Sequence, residues 1–104
     1  MKTDEIYLAQ MRDAVRKVEE FISGMDKAAF EADAKTQSAI IMQLTLIGEL
    51  AKKISEDTRH SIELPWKEIA GFRDNAIHDY FNLDLEVVWQ TIIEDIPVLK
   101  EALS

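Results

Sequence analysis

The stretch that decides the fold is Asp33 to Thr58, DAKTQSAIIMQLTLIGELAKKISEDT. Its apolar residues Ile40, Leu44, Ile47, Ala51 and Ile54 recur at intervals of four, three, four and three, which lays them along one stripe of an α-helix. Asp33 stands where a side-chain oxygen can cap the helix start, so one long core helix is predicted from Asp33 to about Thr58. Gly48 inside it costs about 1 kcal/mol relative to alanine, and this predicts that another helix backbone packs closely at that point.

The flanking sequence repeats the pattern. Upstream, Leu8, Met11, Val15, Val18 and Ile22 form a second stripe. Thr3 is a candidate cap for this helix, and Asp4 and Glu5 have the charge sign that favours the positive end of its dipole. Ser23-Gly24 ends it, and Asp26 can cap a short helical turn through Phe30. Downstream, residues 59–64 form a polar connection and Pro65 opens a fourth helix reaching about Asp79. Asp84 caps a last helix with Leu85, Val88, Ile92, Ile96 and Leu99 inward, Trp89 and Ile93 widening its stripe, and Pro97 kinking it. No segment alternates at period two, and no internal repeat or low-complexity linker divides the 104 residues. The expectation is one all-α domain over residues 1–104, four main antiparallel helices in an up-down bundle plus a short extra helix.

Composition narrows the function. With no cysteine there is no disulfide framework and no thiolate metal site, and His60 and His78 are too far apart for a metal-binding helix motif, so neither a metal nor a cofactor is expected. The most apolar run, Ala39 to Ile47, is too short to span a membrane, and the N-terminus carries Lys2, Asp4 and Glu5 rather than a signal sequence, so a cytoplasmic location is the expectation. The net charge of -8 opposes nucleic-acid binding unless cations gather locally. From residue 79 onward there are six acidic residues and one basic, so RNA has access only where Arg12, Arg16, Lys17, Lys52, Lys53 or Arg59 collect near a site. A bundle this small also leaves apolar surface uncovered, which favours pairing of two copies.

The chemistry-bearing segment runs from Leu64 to Leu99. It contains Leu64-Pro65-Trp66, then Arg73-Asp74-Asn75-Ala76-Ile77-His78-Asp79-Tyr80-Phe81, then Asp84-Leu85 with Val88-Trp89. An arginine, a histidine five residues on and a tyrosine two beyond should coincide by chance in only about a few chains per thousand of this length. Together with Ile47-Gly48-Glu49-Leu50-Ala51, these runs closely resemble the HepT-like branch of the HEPN superfamily, the toxin half of HEPN/MNT toxin-antitoxin pairs. The likeness extends over essentially the whole chain.

That resemblance implies a type VII toxin: a homodimeric, metal-independent endoribonuclease with Arg73 and His78 catalytic. It further implies silencing by a minimal nucleotidyltransferase antitoxin that transfers AMP to Tyr80. The residue types suit the reaction. His78 can move protons near neutrality, and Arg73 offers a permanent charge and a fork for phosphate oxygens. On one helix, however, five residues turn through about 140°, so Arg73 and His78 of one chain do not project together, whereas a two-fold dimer can pair one with the other. Asp74, four residues before His78, is expected in a supporting role, orienting the imidazole. Two other readings stand beside this one: a non-catalytic nucleotide- or substrate-binding partner of the nucleotidyltransferase, and a purely structural bundle. Trp66 and Trp89 are expected in the core rather than stacked on bases, Tyr80 is either a modified residue or a helix-end anchor, and His60 is expected in solvent.

Overall fold

A computed structural model describes residues 2–104. The helices are α1 (Lys2–Ile22), α2 (Lys27–Glu31), α3 (Ala34–Lys53), α4 (Glu56–Ser61), α5 (Trp66–His78), α6 (Leu85–Gln90) and α7 (Ile96–Leu103). A 3₁₀ turn, Tyr80–Asn82, follows α5, and a π turn, Thr91–Asp95, joins α6 to α7 so that they form one long arm. Among the described residues there is no strand, and no helix is long and apolar enough to cross a membrane.

The predicted stripes form the core. Met11, Val15 and Val18 of α1, Ile40, Leu44, Ile47 and Ala51 of α3, Ile54, and Val88, Ile92, Ile96 and Leu99 of the last arm are buried around Phe30. Trp89 packs against Phe30 with ring centroids 5.6 Å apart, and the indole N–H of Trp66 donates to the carbonyls of Arg59 and Ile62, so both tryptophans serve packing. Asp26, Asp33 and Asp84 cap α2, α3 and α6 through bonds from the amides of Ala29, Thr36 and Glu86.

Four details differ from the sequence reading. Helix α1 already includes Lys2, so Thr3 lies inside it and is not its cap. Helix α3 stops at Lys53 rather than Thr58, because Ile54 turns extended to bury its side chain and Ser55 caps a separate helix, α4, inside the expected connection. The buried Asp4 carboxylate fixes this break: it accepts bonds from the Ser55 amide (3.1 Å), the Ser55 hydroxyl and the Thr58 hydroxyl (2.6 Å). The Ser-Glu-Asp-Thr run at 55–58 is a helix-start signature that the apolar periodicity masked.

In the last arm, Pro97 lacks the N–H and the room to continue a regular ladder, and the π turn relieves it, with the Ile96 amide bonding back to Thr91. The wider turn keeps Val88, Ile92 and Ile96 on one face. It leaves Ile93, expected inward, 52% exposed.

The two glycines within helices have opposite meanings. A Cβ at Gly48 would stand 2.5 Å from the Arg73 Cβ and 2.8 Å from the Ile69 carbonyl oxygen, so α3 and α5 touch backbone to backbone as predicted. A Cβ at Gly71 would meet nothing within 4 Å. Gly48→Ala is therefore expected to destabilise the protein, since overpacking of about 1–3 kcal/mol outweighs the gain in helix propensity. Gly71→Ala is expected to stabilise it by up to about 1 kcal/mol. Urea unfolding of both variants checks the opposite signs.

Acid should act through Asp4. Bonds from Ser55 first and Thr58 second hold its carboxyl below the ordinary carboxylate range, so its stabilising contribution is complete above the unfolded value and is lost as pH falls through the folded one. The Tm difference between wild type and Asp4→Asn is expected to be largest at neutral pH and to shrink below about pH 4, as calorimetry across that range would show.

Candidate active site

Helix α5 carries the motif and α3 positions it. The two run antiparallel, with Arg73 against Gly48 and Tyr80 near Ser38. Because Gly48 has no side chain, the Arg73 Cβ seats directly on α3, and its guanidinium spreads over the next residues of that helix. Arg73 Nε lies 2.7 Å from Glu49 Oε2, a close ion pair in which the N–H is not aimed at the carboxylate, so Nε makes no hydrogen bond. Nη1 donates to Asp74 Oδ1 at 3.1 Å, and Lys52 Nζ donates to the same oxygen at 2.9 Å. Lys52 first and Arg73 second hold the Asp74 carboxyl below its usual range, so it is ionised at neutral pH.

This arrangement is an orienting device more than a source of stability, since ion pairs this exposed contribute about 0–1 kcal/mol each. Two carboxylates fix one side of the Arg73 guanidinium, and among the described residues nothing bonds to Nη2. The Arg59 guanidinium donates to the backbone carbonyl of Lys52 at 3.1 Å. Of the cations the sequence offers, Lys52 reaches the motif through Asp74, and Arg59 bonds the backbone of Lys52. Arg16 and Lys17 pair with Asp13, Arg12 bonds the Leu103 carbonyl, and Lys53 lies over the Tyr7 ring.

His78 is the last residue of α5 and is exposed. The expected imidazole-orienting contact from Asp74 is not formed, because that carboxylate faces Lys52 and Arg73. Asp74 supports the arginine instead. Within one chain Arg73 turns toward α3 and His78 toward solvent, as the 140° separation requires. Tyr80 opens the 3₁₀ turn, 43% exposed, with its hydroxyl 3.5 Å from Ser38 Oγ and its ring edge-on to Phe81, which is 97% exposed. Its phenol is open to a second macromolecule. His60 is exposed on α4, as expected.

Sequence reasoning offered Lys52 among the cations that could gather near the motif and missed Glu49 as a companion of Arg73. Their signal was present, since Glu49 adjoins Gly48 and Lys52 lies one turn beyond it on a helix whose glycine already announced the approach of α5.

The sequence profile described as Ribonuclease HepT-like matches residues 11–104. The chain belongs to the HepT-like ribonuclease family. A relative from Thermococcus cleftensis named "Probable ribonuclease HepT" is 44% identical over 95 residues, covering 90% of this chain and 86% of that protein. One from Caldanaerobacter subterraneus subsp. tengcongensis, named "Putative RNase TTE0752", is 36% identical over 103 residues, covering 97% and 91%. A Methanocaldococcus jannaschii protein named "Putative RNase MJ0125" is 40% identical over 82 residues, covering 78% and 71%. No solved structure matches the chain at a significant level. Among HepT-like chains this one thus carries an arginine held by α3, an exposed histidine and an exposed tyrosine on one helix and its following turn.

The Tyr80 contact predicts little stability. At 3.5 Å its hydroxyl is at the limit of hydrogen bonding, so Tyr80→Phe is expected to change unfolding free energy by less than about 0.5 kcal/mol, where a buried anchor would lose about 0.5–1.5 kcal/mol. Thermal melts of the two proteins distinguish these values.

Proposed function

We propose that this chain is a toxin endoribonuclease that works as a homodimer, with Arg73 of one subunit and His78 of the other acting on one RNA phosphodiester without a metal ion. The observation that carries this reading is the arginine itself: Glu49 and Asp74 preorient it while one guanidinium nitrogen stays free, on the same helix as an exposed histidine, in a chain of a ribonuclease family. In the reaction the 2′-oxygen attacks phosphorus and the P–O5′ bond breaks. The 2′-hydroxyl proton passes to a base, and the 5′-oxygen takes up another. His78 serves these proton transfers, and Arg73 stabilises charge on the non-bridging oxygens.

The pairing surface is the exposed face between the two α3–α5 contacts. Met42 of α3 and Ile77 of α5 are 56% and 52% exposed, on helices that meet at Arg73 and again near Tyr80. A second copy on this face would cover apolar surface and bring its own His78 toward Arg73. Silencing is proposed through AMP transfer to the exposed Tyr80 by a minimal nucleotidyltransferase antitoxin, which would add bulk and negative charge two residues from His78.

RNA cleavage by purified variants tests the reading. His78→Ala and Arg73→Ala are expected to lower kcat by about 10²- to 10⁴-fold while helix content and Tm stay near wild type. Met42→Glu is expected to give inactive monomers in light scattering, and EDTA should leave the wild-type rate unchanged. Wild-type turnover by His78→Ala overturns the catalytic assignment, and loss of activity with EDTA overturns the metal-free chemistry.

A further inference from the structure

The opposite side of α5 carries a feature that the RNA site does not use. Helix α5 leans on α3 and stands off the last arm, leaving a groove of about 610 Å³ floored by apolar residues including Ile69, Phe72, Val87 and Val98. A smaller depression of about 200 Å³ shares Phe72, Asn75 and Val87 with it and prolongs it to Asp79, Asn82 and Asp84, beside the turn that begins at Tyr80. Val87 and Val98 are 55% and 54% exposed, and over Gly71 the wall is bare.

The rim has one sign of charge. Glu68 and Asp95 line the groove and Asp79 and Asp84 its extension, while no lysine, arginine or histidine among the described residues lines either part. Desolvation first and Glu94 second push the Asp95 carboxyl up, a penalty that an incoming cation would relieve. Such a rim repels RNA, and it also repels a second copy of a chain whose net charge is -8. An apolar floor with carboxylates on its edges instead complements an amphipathic helix with lysine or arginine flanking its apolar stripe. Alongside the 13 residues of α5 the groove is about 20 Å long, room for three to four helical turns.

We propose that this groove is the docking surface for a basic amphipathic helix of the enzyme that modifies Tyr80, so that docking places that enzyme's active site at the turn where the groove ends. The inference rests on Tyr80 being the modified residue. It adds a recognition surface distinct from the ribonuclease residues, and RNA cleavage and modification should therefore be separable by mutation.

The test uses the whole chain, a minimal nucleotidyltransferase, ATP and magnesium, with AMP on Tyr80 followed by intact mass and direct binding of the two proteins by fluorescence anisotropy. Gly71→Leu projects a side chain into the groove from a position whose Cβ meets no neighbouring atom, and the double variant Glu68→Lys, Asp95→Lys reverses its charge. Both are expected to weaken binding and raise the KM for the chain at least tenfold, with kcat of AMP transfer within twofold and RNA cleavage within threefold of wild type. Unchanged binding in both variants overturns the proposal. So does a change in sedimentation or in RNA KM caused by Gly71→Leu, since these make a second copy or RNA the occupant. If wild type gains no AMP on Tyr80, the modification reading fails, and the docking surface stands or falls on whether Gly71→Leu still weakens binding tenfold.

Discussion

The approach of two helix backbones at Gly48 is the constraint on which the rest of the structure depends. Because no side chain separates α3 from α5 there, the Cβ of Arg73 rests against α3, and its guanidinium falls beside Glu49 and the Lys52–Asp74 pair. Any side chain at position 48 would push α5 outward and draw Arg73 away from Glu49 of α3. One missing methyl group therefore links packing to the candidate chemistry.

A second constraint sets where α3 ends. Buried Asp4, at the start of α1, takes three bonds from Ser55 and Thr58, so the end of α3 and the start of α4 are tied to the N-terminal helix. That break lets Ile54 enter the core, and it places Arg59 of α4 beside Lys52. On a protein with a net charge of -8, Glu49 and Asp74 hold Arg73 and Lys52 together at this place. Negative charge gathers on the other side of α5, where Glu68, Asp79, Asp84 and Asp95 border an apolar groove. One helix thus presents an ion-paired surface on one side and an acid-edged one on the other.

What was legible in the sequence follows from how local each cause is. Apolar spacing of three and four located the core positions of α1, α3 and the last arm, because burial repeats with the helical period whatever the neighbours are. Capping aspartates at 26, 33 and 84 act on amides two or three residues away, so they could be read directly. Periodicity failed at Ser55, where the Ser55 cap and its contact with Asp4, fifty-one residues away in sequence, ended α3, and at Ile93, where Pro97 and the π turn shifted the inward face.

The sequence by itself determined the helical class, the stripes that pack, the glycine that demands close contact and the Arg-His-Tyr order on one helix and its turn. These properties depend on residue type and on spacings within a few turns. Only the tertiary structure decided that Asp74 bonds Arg73 rather than His78, that Glu49 meets Arg73 and Lys52 meets Asp74, and that α5 stands off the last arm to leave an acid-edged groove. Each of these depends on which side chains meet between separate helices, and that is set by how the helices pack rather than by the period along any one of them.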